Sequence, residues 1–244
     1  MISLRQFVVD IGNTRIKTAV FETDKMVLEE NFETFESFLD YSKKIKFQHA
    51  LISSVTYVQE QLQEMLDFPF LFLNRDTPVP IENHYATPET LGVDRKAAAI
   101  GARCIIEKVP LLTIDLGSCI TYEFLDEKNR YFGGAISPGL RMRFRAMHRQ
   151  TARLPLIELS SYEKPELIGN STVNGMKSGV YFGILHEMQG FIRAYQAKYP
   201  GLRVIICGGD SKIFESLTKD HIFVIPNLVL YGLNRILTYN VNFQ

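Results

Sequence analysis

Two passages of this sequence each join an apolar run, an acid and a tight turn. In the first, Phe7-Val8-Val9 ends on Asp10, and Gly12, Asn13 and Thr14 follow before the chain returns through Ile16 to Phe21. In the second, Leu111-Leu112-Thr113-Ile114 ends on Asp115, and Gly117 and Ser118 precede a return through Thr121-Tyr122-Glu123-Phe124-Leu125. Each reads as a β-hairpin. A strand that delivers a carboxylate into a glycine turn can serve a nucleotide's phosphates. The acid holds a hydrated magnesium ion, and glycine lets backbone N–H groups approach phosphate oxygens. Lys17, on the first return strand, adds a positive charge, although strand alternation alone leaves its direction open. One such turn is more often a plain hairpin. Two copies suit a nucleotide held in a cleft between two related domains, with a loop from each side.

The elements that must position these groups are of mixed type. Ala50-Leu51-Ile52-Ser53-Ser54-Val55, Phe70-Leu71-Phe72-Leu73 and Val204 to Cys207 read as strands, and Val58 to Leu66, Thr172 to Tyr199 and Leu228 to Tyr239 as helices. A further strand at Arg130-Tyr131-Phe132 is expected to close at Gly133-Gly134, with Ser137-Pro138-Gly139 leading into a helix that reaches His148. The fold class is α/β. The two acids are separated by about one small domain, so duplication is the economical organisation, with halves at 1–109 and 110–244. A Thr87-Pro88-Glu89 helix start and the small-residue run Lys96-Ala97-Ala98-Ala99-Ile100-Gly101-Ala102 place Asp94 near a helix N-terminus, where a negative charge is favoured.

Composition narrows the partners. Lys plus Arg and Asp plus Glu are 27 each, so there is no long-range attraction for nucleic acid or an anionic membrane. Arg141, Arg143, Arg145, His148, Arg149 and Arg153 form a basic stretch that reads as a solvated helical face. Cys104, Cys119 and Cys207 are odd in number and widely spaced, which excludes a disulfide framework or zinc-ligand spacing and fits a reducing compartment. No run reaches the roughly 18 apolar residues of a membrane span, and Arg5 and Asp10 interrupt any leader-like stretch. A cytoplasmic protein is expected.

The paired hairpins, with the strand and turn Ile205-Ile206-Cys207-Gly208-Gly209-Asp210, resemble the superfamily of actin, sugar kinases and chaperone ATPases. Asp10-Ile11-Gly12-Asn13-Thr14-Arg15-Ile16-Lys17 is similar to the opening motif of type III pantothenate kinases. Tyr85, Pro88 and Leu91-Gly92-Val93-Asp94-Arg95 resemble that family's substrate and catalytic segment. Gly133 to Leu140, Thr151 to Pro155 and Asn170 to Gly179 continue the correspondence in order, so it spans most of the chain.

The resemblance implies two ribonuclease-H-like, actin-like ATPase domains with a nucleotide cleft between them, and transfer of the ATP γ-phosphoryl group to pantothenate, the first step of coenzyme A synthesis. It implies Asp94 as catalytic base, and Asp10, Gly12, Asn13, Thr14, Lys17, Ser118, Gly208 and Gly209 around ATP. Tyr85, Gly92, Val93, Arg95 and Thr172 would line the pantothenate site, with Thr172 reaching across a homodimer interface. Magnesium would sit near Asp10, through water, and a potassium or ammonium ion at Asp115. Neither nucleic acid nor membrane is an expected partner. The same family includes transcription accessory proteins, and the fold also serves kinases of other small acceptors. Cys119, Ile120 and Glu123 depart from the family's second-loop pattern. Lys96 stands where an apolar residue is usual and is expected to alter the charge at the substrate mouth.

Overall fold

A computed structural model describes residues 4–160, 163–218 and 221–242. The chain forms two compact units, one reaching Ile105 and resuming at Leu228, the other running from Ile106 to Asn227. The first crossing thus falls near the expected 109/110 boundary. The closing segment belongs to the first unit, whereas the sequence reading assigns it to the second half.

In the first unit, β1 (Arg5–Ile11) pairs antiparallel with β2 (Ile16–Glu22), and β2 with β3 (Lys25–Phe32). On its other side β1 pairs parallel with β4 (His49–Ser54), and β4 with β5 (Leu71–Phe72). The sheet order is β3-β2-β1-β4-β5, and a two-residue strand, β6 (Glu82–Asn83), follows in the chain. Both faces of β1 are covered, which is why its apolar run does not alternate with polar residues. Phe7, Val9 and Ile11 pack with Phe38 of α1 (Phe35–Ser42) and Leu62 of α2 (Gln59–Met65). Val8, on the opposite face, packs with Ala97 and Ile100 of α3 (Val93–Ile105) and Leu233 of α6 (Leu228–Val241).

The small residues of α3 explain where the last helix goes. A Cβ on Gly101 would collide with the Leu228 carbonyl, and one on Gly232 would collide with the Ala97 carbonyl. The two helices therefore meet backbone to backbone, and α6 covers the Ala/Gly stripe of α3.

The second unit repeats the plan. β7 (Leu111–Leu116) pairs antiparallel with β8 (Cys119–Leu125), and β8 with β9 (Arg130–Pro138). β7 also pairs parallel with β10 (Arg203–Cys207), and β10 with β11 (Ile222–Val224). Its own strands run β11-β10-β7-β8-β9, the mirror listing of the first sheet. Ile114, Leu116, Tyr122 and Phe124 pack against α4 (Leu140–Gln150) and α5 (Thr172–Lys198).

The expected strand end at Gly133-Gly134 is not there, because β9 runs on to Pro138. Gly133 has φ +79° and lies opposite Phe124, while Tyr131 lies opposite Leu125, so Phe132 and Gly133 form a bulge. A Cβ on Gly134 would collide with the Tyr122 carbonyl. The glycines permit a close strand approach and do not end the strand.

Candidate functional site

Each acidic turn lies at the end of the central strand of its sheet. Asp10 faces Lys17 across β1 and β2 and Ser53 across β1 and β4. Directly paired side chains share a face, and by alternation that face is the α3/α6 side, with Val8 and Ala19. The direction of Lys17 is thereby fixed: it stands on the same face as Asp10. Ser53 is fully buried, and its Oγ meets no hydrogen-bond partner among the described residues. Asn13 and Thr14 are exposed at the tip of a four-residue turn. The Gly12 N–H donates to the Arg15 carbonyl at 3.0 Å and closes the turn.

Asp115 occupies the matching place in the second unit. Its cross-strand neighbour is Thr121, and its parallel neighbour is Cys207. It faces away from the α4/α5 core, as Asp10 faces away from the α1/α2 core. The turn is shorter, with the Gly117 N–H donating to the Cys119 carbonyl at 3.1 Å and Ser118 exposed. Gly208, with φ +92°, passes so close that a Cβ would collide with Asp115 Oδ1 and the Leu116 backbone. The following Asp210 N–H donates to the Leu116 carbonyl at 3.1 Å. Gly139, just before α4, donates its N–H to the Ser118 carbonyl at 3.2 Å. The structure thus gathers Asp115, Ser118, Gly208 and Gly209, with Gly139 and Asp210 beside them. Asp210, which closes the strand-and-turn motif, lies 3.5 Å from the Arg141 guanidinium; sequence reasoning gives it no role.

The Leu91–Arg95 segment enters α3 directly. Gly92 precedes the helix, and its carbonyl accepts from the Lys96 N–H at 3.4 Å. Asp94 is exposed in the first turn, and its Oδ1 accepts the Arg95 N–H at 2.9 Å. A Cβ on Gly92 would stand 2.5 Å from that oxygen, so glycine leaves room for the carboxylate. Arg95 is 8% exposed; its guanidinium lies 5.4 Å from the Tyr85 ring centre and 3.5 Å from the Tyr85 hydroxyl. Tyr85, Gly92, Asp94 and Arg95 therefore form one local group, with Val93 packed into the core beside them.

Lys96 follows Arg95 at the start of α3. It is buried, its ammonium donates to the Arg75 carbonyl at 3.1 Å, and burial pulls its pKa down while Asp76 works the other way. Thr172 is the first residue of α5, capped by Ser171, and lines a cavity of about 560 Å³ with Arg143, Met147, Gly175 and Gly179. Among the described residues no group of three His, Cys, Asp or Glu side chains is gathered to hold a metal. No helix of the described residues is long and apolar enough to cross a membrane.

The sequence matches the profile of the type III pantothenate kinase family over residues 6–194. It is 41% identical over 241 residues to the type III pantothenate kinase of Cytophaga hutchinsonii, covering 96% of this chain and 99% of that protein. To the type III pantothenate kinase of Bacteroides fragilis it is 41% identical over 238 residues, covering 96% and 97%. Among solved structures, a Baf family protein from Campylobacter jejuni aligns with TM-score 0.64 at 22% identity, over 97% of this chain and 99% of that one. ROK hexokinase from Thermus thermophilus aligns with TM-score 0.54 at 12% identity, over 99% and 100%. At those identities the likeness is one of fold, and with the repeated sheet it bears out two ribonuclease-H-like units.

Proposed function

Because this chain belongs to the type III pantothenate kinase family, we propose that it transfers the γ-phosphoryl group of ATP to the primary hydroxyl of pantothenate, the opening step of coenzyme A synthesis. The observation that carries the reading beyond the family is the Tyr85–Gly92–Asp94–Arg95 group, an exposed carboxylate beside a buried, ring-stacked cation. Pantothenate carries a carboxylate at one end and a primary alcohol at the other. Arg95, held by Tyr85, pairs with the carboxylate, and Asp94 orients the alcohol and takes its proton as the new O–P bond forms and ADP departs. In phosphoryl transfer that proton moves late, so Asp94 acts by placement more than by unusual basicity. Gly92 and Val93 set the approach to that carboxylate.

Each acidic hairpin contributes to ATP. Asp10, with Lys17 on its face and Gly12, Asn13 and Thr14 in its turn, takes the triphosphate. Asp10 would hold magnesium, which would supply charge that offsets the buildup on the phosphate oxygens. Ser118 offers a hydroxyl, and Gly208 and Gly209 let the nucleotide pass close to backbone. Asp115 faces Thr121 where Asp10 faces a lysine, and so suits a weakly held potassium or ammonium ion.

The exposed start of α5, with Thr172 beside an apolar cavity, supports a homodimer in which Thr172 serves the partner's pantothenate. Nucleic acid is not proposed as a partner. In the basic stretch Arg143 is bound to Glu187, Arg141 lies near Asp210, and His148 pairs with the Leu154 carbonyl at 2.8 Å. ATP use and three cysteines in no disulfide support a cytoplasmic location.

Product analysis tests the assignment. Purified protein with ATP, magnesium and potassium is expected to yield phosphopantothenate by mass spectrometry, and to leave sugars, acetate and polyphosphate untouched. Phosphorylation of one of those in place of pantothenate overturns the assignment.

A further inference from the structure

Glu187, midway along α5, is a carboxylate that the reaction above does not use. It accepts hydrogen bonds from three elements: the Tyr122 hydroxyl of β8 at 2.9 Å, the Ser137 hydroxyl of β9 at 2.6 Å, and the Arg143 guanidinium of α4. Arg143 in turn donates its Nε to the Pro138 carbonyl at 2.8 Å. The corner Ser137-Pro138-Gly139 is therefore held on both sides. Burial works against ionising Glu187. The bonds from Ser137, Arg143 and Tyr122, with the Arg143 charge, outweigh it and keep its pKa below the usual carboxylate range.

That corner is the wall of the second hairpin. The Gly139 N–H donates to the Ser118 carbonyl, and there is no room for a Cβ on Gly139 beside the Gly117 and Ser118 carbonyls. A displacement of the corner is thus passed to Ser118 without slack, because the contact is backbone on backbone.

We propose that Glu187 is a positioning residue for the phosphoryl donor: it locks the Ser137–Gly139 corner, and the corner fixes the loop that carries Ser118. The inference rests on the reading of that loop as part of the ATP site. It predicts a specific kinetic split, since Glu187 belongs to the second unit and the Asp94–Arg95 group to the first.

Glu187→Gln keeps the side chain's size and removes the charge that Arg143 meets. The expected result is a rise of about tenfold in the KM for ATP, with the KM for pantothenate and kcat within about twofold of the parent. Ser137→Ala removes one hydrogen bond, leaves the fold in place and is expected to give the same pattern at about threefold. The double variant is expected to be no worse than Glu187→Gln alone, because both act through one corner. Equal rises in both KM values, or an unchanged KM for ATP in folded Glu187→Gln, overturn the proposal. Amide hydrogen exchange separates the two levels. Unchanged exchange at residues 116–119 in Glu187→Gln removes the positioning role. Faster exchange there with an unchanged KM for ATP instead removes the loop from the nucleotide site.

Discussion

The two acidic hairpins are the same structure fitted out differently. Both end a central strand whose own-unit neighbours follow the same plan, and both turn their carboxylate to the equivalent face. Around Asp10 the neighbours are Lys17 and Ser53, while around Asp115 they are Thr121 and Cys207. The first turn has four residues with exposed Asn13 and Thr14. The second has two, and is crowded by Gly208 on one side and Gly139 on the other. A duplicated scaffold fixes where a carboxylate goes, and in the proposed assignment its neighbours decide what it binds. A cation and a wide turn suit a triphosphate with its magnesium, whereas a hydroxyl and a closed turn suit a small weakly held ion.

The largest expected effect breaks the pair at its acids. Asp10→Asn is expected to lower kcat/KM for ATP by about a hundredfold or more, irrespective of the potassium concentration. Asp115→Asn is expected to cost less and to flatten the potassium dependence of the rate. Initial rates across a potassium series check both. Equal losses with equal potassium dependence would show that the neighbours do not differentiate the acids.

Next in size is Gly208→Ala. The methyl group would have to displace Asp115 and the Leu116 backbone, in a conformation that L-residues seldom adopt. A loss of at least about tenfold in activity and roughly 2 kcal/mol in stability is expected, read from kinetics and urea unfolding. Gly12, whose φ is not in the left-handed region, should tolerate the same change far better.

A smaller effect probes the neighbours themselves. Lys17→Met is expected to raise the KM for ATP about tenfold, and Thr121→Met at the matching register position to leave it within about threefold. If both variants weaken ATP alike, the charge at Lys17 is not what distinguishes the loops.

The least effect is on stability against pH, and it separates the units. In the second unit Glu187 is half-buried, and hydrogen bonds more than offset the desolvation, so its pKa lies below the ordinary 4.5. The stability it confers is complete above that value and is lost as pH falls through the folded one. In the first unit Lys96 has a pKa below 10.5, chiefly from burial, so stability rises with pH between its lowered value and 10.5. Thermal unfolding from pH 3 to 11 should therefore show an acid loss that Glu187→Gln blunts and an alkaline gain that Lys96→Met removes. The opposite slope at either end contradicts the assignment.

Much of this was legible in the sequence because it lay in short contiguous stretches. The hairpins were readable from apolar runs meeting turn residues, and α5 and α6 from their length and periodicity. The group at Asp94 is legible through the resemblance carried by Leu91-Gly92-Val93-Asp94-Arg95, because the residues alone equally suit a helix cap and a surface ion pair. Contacts between distant residues were not readable. Gly208 beside Asp115, or Gly139 against Ser118, depends on how strands are ordered. The Ala/Gly stripe of α3 announced a close partner without saying that α6 would return from the chain's end to provide it. β3 went unread because it is an edge strand, mostly exposed and without alternation. Gly133-Gly134 reads as a strand end because a glycine at a bulge and a glycine at a close strand approach look the same as turn residues. Glu187 gave no signal, since a lone glutamate in a helix is ordinary until its three donors are seen.

The most direct measurement is a coupled ADP-release assay on the parent protein and on Asp94→Asn, each with and without pantothenate. The account predicts that ADP appears only when pantothenate is present. It also predicts that Asp94→Asn binds ATP normally but turns over at least about a hundredfold more slowly. ADP release that ignores pantothenate, or full turnover by Asp94→Asn, would contradict it.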